Sequence, residues 1–554
     1  MAIKSQKIVS DFETTTDKND VRVWAVCSVD IDDGETVYIG NSIERFFDWL
    51  QDKNTVCYFH NLKFDGEFLL HYLLTHGYKH SDKPTENCFE TLITDTGIFY
   101  SITVYFKREN KKWRKVVFYD SLKKLPFKVA TIAKAFDLPM AKGSIDYDAP
   151  RPIGHELTEE EREYIQDDCR IVAAALKTQI GEGLTRMTNA SDALNSFKAI
   201  IGKEKFERLF PVFPIELDAD IRRAYKGGFV YLNPKYRGYR GLKGITLDVN
   251  SLYPWAMYSC LLPFGYPVYF EGEPEPDDRY PLFIVRIQCE FELKPDHIPT
   301  IQLKNNRAFI ETEYLTSSNG EIVQMTLTNV DLRLFLDNYN VWNLEYIAGW
   351  KFKGKVGIFK DYIDHWMHIK ETTTGAKRQL AKLMLNSLYG KFATNPKSRK
   401  KTPYLDEDGI VRYHVTDVEE RDPVYTAMGA FITAYAREKT IRSAQTVYDR
   451  FIYADTDSLH LIGHEVPENL EVHPTRLGAW KNEGCFDDSI FVRAKTYIEV
   501  VDGKVKVTCA GMPDNVKEQV TLDNFHSGST FGGKLMPRRH KGGIVLESTT
   551  FTIK

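Results

Sequence analysis

The stretch FIYADTDSLH (451–460) constrains the fold more than any other. It begins as an apolar strand and then presents Asp455 and Asp457, with only Thr456 between them, where a hairpin should turn. Carboxylates are seldom buried without a partner. The fold therefore has to bring something opposite them, and Asp248, at the end of GITLDV, is the candidate. The expected arrangement has Asp248 sharing two metal ions with Asp455, and Asp457 ligating only in some states. The chemistry that needs such a site is phosphoryl transfer from a triphosphate, in which little covalent work falls to the protein.

A triphosphate also needs cations. KETTTGAKRQLAKLMLNSLYG (370–390) reads as one helix that supplies them. Lys370 and Lys377 are seven apart; Arg378, Lys382 and Asn386 follow at four-residue steps on one face. Leu380, Leu383 and Leu388 form its buried side. By spacing alone, a generic basic amphipathic helix gives the same pattern. Tyr253 in NSLYP and Tyr389 in NSLYG suit a ring that excludes a sugar 2′-hydroxyl and a ring that stacks on a base. Core packing is the plainer role for either, in a chain with 30 tyrosines.

A second acidic set lies near the N-terminus. Asp11 and Glu13 in VSDFETTT are two apart, so on a strand they share one face. Asp65 stands in a turn leading to a helix, and Asp168 sits four residues after Tyr164 on a later helix. Brought together, four such carboxylates hold two divalent ions about 4 Å apart, and Tyr164 orients the attacking water for phosphodiester hydrolysis. All-oxygen ligands without imidazole favour Mg²⁺, with Mn²⁺ as substitute, over zinc. Four unrelated surface acids satisfy the same spacing.

The chain has 554 residues, so two to four domains are expected. Residues 1–185 alternate strands and helices, as in an α/β domain. TEEEREYIQDDCRIVAAALKTQI is a helix with Thr158 and Glu161 as its capping box. FPVFPIELDADIRRAY reads as a connector. Residues 260–357 read as many short strands, an inserted module. Helices return from 358, a polar stretch runs to about 420, and MGAFITAYAREKTIRSAQTVYDRF is helical. Eight scattered cysteines without a CxxC pair suit a reducing cytoplasm. No run is apolar enough to cross a bilayer, and the N-terminus has no signal-peptide core. The net charge of −4 argues weakly against nucleic acid, but KRENKKWRK (107–115), NPKSRKK (395–401) and GGKLMPRRHKGG (532–543) are locally basic.

DVNSLYP (248–254), KLMLNSLYG (382–390) and YADTDS (453–458) resemble, in order, the three polymerase motifs of family B DNA polymerases. DFET (11–14), NLKFDG (61–66) and YIQDD (164–168) resemble the three motifs of the associated 3′–5′ proofreading exonuclease. The resemblance spans nearly the whole chain and is nearest to the protein-primed replicative polymerases of small Bacillus-type phages. It implies a multidomain α/β and α+β chain: an RNase H-like N-terminal exonuclease domain, and a right-hand polymerase domain with two insertions. The implied bounds are exonuclease 1–189, palm 190–259 and 421–509, first insertion 260–357, fingers 358–394, second insertion 395–420 and thumb 510–554.

The resemblance also implies roles. Asp248, the Val249 carbonyl, Asp455 and Asp457 hold the polymerase metals. Asp11, Glu13, Asp65 and Asp168 hold the editing metals, two ions per site. Lys142 steadies the scissile phosphate. Tyr253 is the sugar gate and Tyr389 shapes the base-pair pocket. Lys370, Arg378, Lys382 and Asn386 meet the dNTP. Thr14, His60, Asn61, Phe64, Ser121 and Leu122 match single-strand contacts. Tyr225, Gly227 and Gly228 of YKGG bind template, Thr433 and Arg437 of TAYAR contact DNA, and Lys495 and Tyr497 of KTY grip the primer. The first insertion docks a terminal-protein primer. The second closes a ring around the template, which confers processivity and strand displacement. A monomer, or a heterodimer with terminal protein, in the host bacterial cytoplasm is expected.

Departures exist. Arg378 stands where a relative carries lysine, which keeps the charge but alters the geometry. CFDD (485–488) replaces a basic stretch, and the segment before CAGM is trimmed. Weaker DNA affinity or salt tolerance is expected from these changes. An exonuclease with a degenerate polymerase half, and a non-catalytic DNA-binding scaffold, are the rival readings. Intact Asp248, Lys382 and Asp455 argue against the first.

Overall fold

The computed structural model describes residues 5–302 and 313–554. Its N-terminal unit is built on an eight-stranded mixed sheet. The Gln6–Thr14 strand lies inside it, antiparallel to Val23–Asp30 and parallel to Thr55–Phe59. Both faces are covered, so consecutive residues enter different cores. Ile8 and Phe12 pack with the Ile43–Leu50 and Leu62–Thr75 helices, and Val9 packs towards the Glu159–Gly181 helix. The Thr158–Glu161 capping box forms as expected and starts that last helix, a contribution of about 1 kcal/mol.

The central unit is a five-stranded antiparallel sheet. Its order is Trp480–Phe486, Gly244–Val249, Ser458–Ile462, Phe451–Asp455, Val230–Leu232. The buried Thr426–Thr446 helix backs it. The Pro-punctuated connector contains a helix, Ile215–Arg222.

The 260–357 segment departs from the short-strand expectation. It holds one four-stranded sheet with long strands, Leu282–Leu293 and Tyr339–Lys355 among them, and a helix at Asn329–Asn338. Thr328 starts that helix by accepting the Asp331 backbone N–H. Residues 303–312 of the segment lie outside the described residues.

The single basic helix is also two helices, Lys360–Thr372 and Gly375–Phe392. The break falls in Thr372-Thr373-Thr374, where β-branched side chains favour extended backbone, and Gly375 then adopts φ +54°. The polar stretch is a hairpin, Lys401–Leu405 with Val411–Val415, and the C-terminus is a longer one, Thr530–His540 with Gly543–Thr552. Acids neutralise part of the basic runs. Lys107 and Arg114 pair with Glu109, and Lys397 and Lys400 with Glu420 and Glu419. Among the described residues, no helix is long and apolar enough to cross a membrane.

Candidate active sites

In the central sheet, Asp248 pairs across the strands with Ser458, and Ser458 with Asp455. Directly opposed residues point to one face, so both carboxylates flank the small Ser458 side chain. Thr456 and Asp457 form the hairpin turn, with Thr456 in the left-handed region at φ +57°. The Val249 N–H donates to the Asp457 carbonyl at 2.7 Å, which docks the turn beside Asp248. Burial and the neighbouring charges of Asp457 and Glu483 push Asp248 up to about 7, against Lys481. Burial raises Asp457 as well, with the Asp455 charge adding to it. Asp455 receives the Lys495 ammonium at 2.9 and 2.6 Å, and Tyr453 and Thr456 donate to it at 3.4 and 3.2 Å.

Cations converge beside this row from two helices. Lys370 Nζ donates to Ser251 Oγ at 3.1 Å, and Arg378 donates to the Lys370 carbonyl. Burial, together with the charges of Arg378 and Lys382, holds the Lys370 ammonium below its ordinary range. Lys377 turns away to Glu182, while Asn386 is exposed. Tyr253 and Tyr389 stack with ring centroids 3.9 Å apart.

The YKGG loop lies against the acidic turn. A Cβ on Gly228 would stand 2.5 Å from Thr456 Oγ1, so glycine is required for this approach. Tyr225 is half-buried. Arg437 donates to the Lys226 and Gly227 carbonyls at 2.9 and 2.8 Å and is bidentate to Asp331. This corrects one expectation. Thr433 and Arg437 are 1% and 2% exposed, and their polar atoms bond within the protein. Arg437 supports the loop and Thr433 bonds back into its own helix, so neither side chain faces solvent. Tyr497 packs its ring on Tyr453 and Phe491.

In the N-terminal sheet, Asp11 and Glu13 lie near enough to Asp65 and Asp168 for their charges to act on one another. Asp65 belongs to the first turn of the Leu62–Thr75 helix rather than to the turn before it. Burial and the Asp168 charge push Asp11 up to about 7, against Lys142. Burial also lifts Glu13, with the Asp11 and Asp168 charges adding to it. Asp65 rises through burial and the Asp11 charge. Lys142 donates to Asp168 Oδ2, while Asp168 Oδ1 is buried without a protein partner. The nest opens to a cavity of about 160 Å³ lined by Asp11, His60, Lys142 and Asp168. Tyr164 OH shares a 2.6 Å hydrogen bond with Tyr147 OH.

Beside it, His60 bonds Ser121 Oγ at 3.0 Å and the Phe127 carbonyl at 2.7 Å, and burial lowers its pKa. Ser121 is fully buried, so it positions His60 and does not itself face a strand, another correction. Thr14 ends the Gln6–Thr14 strand half-buried, and Asn61, at φ +74°, is exposed. Phe64 and Leu122 are half-buried. Sequence reasoning missed Asp120, whose Oδ1 accepts the N–H groups of Asn61, Leu62 and Leu122. An Asp directly after an alternating strand, FYDSL, is the available signal. It also missed Tyr147 and Arg151.

Among the described residues, no three His, Cys, Asp or Glu side chains stand close enough to form a ready metal shell. A lysine ammonium sits on one carboxylate of each nest, Lys495 on Asp455 and Lys142 on Asp168. Each marks where positive charge is needed. The orphaned Asp168 oxygen and the all-oxygen donor sets fit hard divalent cations.

Separate acid nests on two sheets, one with a basic helix pair beside it, fit metal-assisted phosphoryl-transfer chemistry at two places. The family described as DNA polymerase type B, organellar and viral, matches residues 48–153 and 150–473, and the chain belongs to it. The chain is 49% identical to the DNA polymerase of Bacillus phage M2, covering 99% of this chain and all of that one. It is 48% identical to the DNA polymerase of Bacillus phage phi29, covering 98% of each. The structure of phi29 DNA polymerase complexed with primer-template DNA and incoming nucleotide superposes with a TM-score of 0.95 at 47% identity, covering all of both chains.

Proposed function

We propose that this polymerase replicates a linear phage genome by protein-primed, processive, strand-displacing synthesis and edits its product with a 3′–5′ exonuclease, in the cytoplasm of a bacterial host. The observation that carries the reading is the cross-strand row Asp248–Ser458–Asp455, tipped by Asp457. Full-length likeness to a phage polymerase held with primer-template DNA, and with single-stranded DNA, supports it. The domain assignment follows the bounds given above, from exonuclease at 1–189 to thumb at 510–554.

In the synthetic site, Asp248, the Val249 carbonyl, Asp455 and Asp457 would hold Mg²⁺. In the editing site, Asp11, Glu13, Asp65 and Asp168 would. When bound, such ion pairs activate the attacking oxygen and stabilise the leaving one. Lys370, Arg378 and Lys382 neutralise the triphosphate. Tyr389 stacks on the nascent pair, and Tyr253 closes the space a 2′-hydroxyl needs. Lys495 passes from Asp455 to a primer phosphate, with Tyr497 beside it. In the editing site, Lys142 passes from Asp168 to the scissile phosphate. Tyr164, braced by Tyr147, orients the water. Thr14, Asn61, Phe64 and Leu122, with His60 held by Ser121, line the path of the frayed end. Gly227 and Gly228 allow close approach of the template.

A cavity of about 720 Å³ supports the template path. It lies between the N-terminal unit, the Gly375–Phe392 helix and the base of the 401–415 hairpin, lined by Lys123, Lys391, Arg399, Lys400 and Arg421.

Primer extension with dNTPs and Mg²⁺ tests the reading. Asp455→Ala should remove extension by at least ~10³-fold and keep editing, and Asp11→Ala the reverse. Degradation without extension by the unaltered protein would leave only the exonuclease. A labelled protein–nucleotide adduct from terminal protein and dATP tests priming; its absence where primers are extended counts against that step.

A further inference from the structure

Three elements far apart in the chain meet at one carboxylate. Glu67, on the Leu62–Thr75 helix, is 1% exposed. Its Oε1 accepts from Arg539 Nε at 2.7 Å, across 472 residues of sequence. Its Oε2 accepts from Tyr413 OH at 3.0 Å, across 346 residues. Tyr413 lies on the 401–415 hairpin and Arg539 on the C-terminal hairpin. The Arg539 guanidinium also stands 4.8 Å over the Tyr413 ring. Around this point Val411 and Ile544 enter the N-terminal core. A Cβ on Gly543 would stand 2.4 Å from the Phe68 ring, so the hairpin tip sits tight on the Glu67 helix.

The contacts close a circuit. The 401–415 hairpin leaves the polymerase body between the Gly375–Phe392 and Thr426–Thr446 helices, and the C-terminal hairpin leaves it after the 488–509 strands. The two hairpins meet each other and the N-terminal unit where Glu67, Tyr413, Arg539 and the glycine tip gather, with Gly409 against Lys541 beside them; the base of the 401–415 hairpin also rests on the N-terminal sheet, where Thr91 donates to the Lys401 carbonyl at 3.4 Å. On the Tyr413 and Arg539 side, both hydrogen-bonding partners of Glu67 come from outside its own unit. Parting the hairpins therefore strips a buried carboxylate of its partners, which is unfavourable until water reaches it. The seam thus adds a charged cluster to the apolar contacts of Val411 and Ile544. Once open, its groups rehydrate, so the seam can close and open repeatedly.

We propose that Glu67 is a positioning residue for synthesis: it latches the two hairpins together, and the latch sets how long the polymerase stays on its template. This rests on the collar reading above. The latch touches neither substrate nor metal, so it should govern release and not the chemical step.

The test compares Glu67→Ala, Tyr413→Phe and Arg539→Met on a primed single-stranded DNA circle, with excess competitor DNA added at the start. Product length per binding event should fall about 10-fold in Glu67→Ala, the scale of losing a buried charged partner, and less in Tyr413→Phe. Single-nucleotide kcat on a short primer-template should stay within about twofold. Glu67→Ala with Arg539→Met should shorten products no further than Glu67→Ala alone, since both act in one contact. Unchanged length in all three single variants overturns the latch, as does a parallel fall of length and kcat. Short products from the unaltered enzyme overturn the collar reading, and the latch with it.

Discussion

The Lys495 ammonium lies 2.6 Å from one oxygen of Asp455 and 2.9 Å from the other. Lys495 reaches it from a left-handed backbone position, φ +56°, with its N–H on Tyr453 OH at 2.9 Å. The same tyrosine bonds Asp455, so the lysine and the carboxylate are set by one buried ring. Lys495→Ala should therefore lower the Mg²⁺ concentration for half-maximal extension severalfold and raise KM for primer. Titrating each in turn checks it; unchanged Mg²⁺ dependence would count against competition at Asp455.

Arg151 organises the irregular segment that carries Lys142 and Tyr147. It donates to the Asp146 carbonyl at 2.7 Å and to Ala149 at 3.2 Å, pairs with Glu161 at 2.9 Å, and lies 4.0 Å over Trp24. Arg151→Met should cut editing of single-stranded DNA about 10-fold, the scale of 1–2 kcal/mol of lost positioning, and leave extension unchanged. Arg151→Lys keeps the charge without the fork and should recover little.

Glu161 gives an acid-stability signature. Burial would raise it, but bonds from His155, the Thr158 N–H and Arg151 bring it down to about 2. A depressed carboxylate stabilises the fold above its unfolded value of 4.5, and that stability is lost as pH falls towards 2. The contribution is on the order of 3 kcal/mol. Melting curves of Glu161→Gln and the unaltered protein should differ most at neutral pH, draw together as pH falls below 4.5 and converge near about pH 2. A constant gap would place the effect elsewhere.

The stacked Tyr253–Tyr389 pair should make sugar choice depend on one ring. Tyr253→Val should raise ribonucleotide incorporation relative to deoxyribonucleotide by roughly 10- to 100-fold. Competition assays with matched nucleotides read this ratio directly. No change would move the gate to another residue.

Local pattern carried much of this. The Gln6–Thr14 strand, the Glu159–Gly181 helix with its capping box, and the acidic hairpin are each legible from neighbours in sequence. Where a nearby signal competes with a distant one, local reading fails. Val323–Thr328 and Asn329–Asn338 read as one run of strands because their apolar residues alternate loosely, and only the Thr328 cap separates them. Thr433 and Arg437 are expected at DNA because TAYAR resembles a DNA-contacting element, not from any local pattern. Arg437 is instead tied to Asp331 and the YKGG carbonyls, which are remote in sequence, and Thr433 bonds back to the Gly429 carbonyl of its own buried helix.

The sequence by itself determined which side chains are candidates for chemistry, because the ordered motifs that carry the carboxylates, lysines and tyrosines are short-range features. Only the tertiary structure decided which partners they keep when at rest. Lys495 on Asp455, Lys142 on Asp168 and Arg539 on Glu67 each join residues that no spacing rule connects; at Asp168 and Glu67, burial makes an unpaired charge costly enough to select its partner from anywhere in the chain.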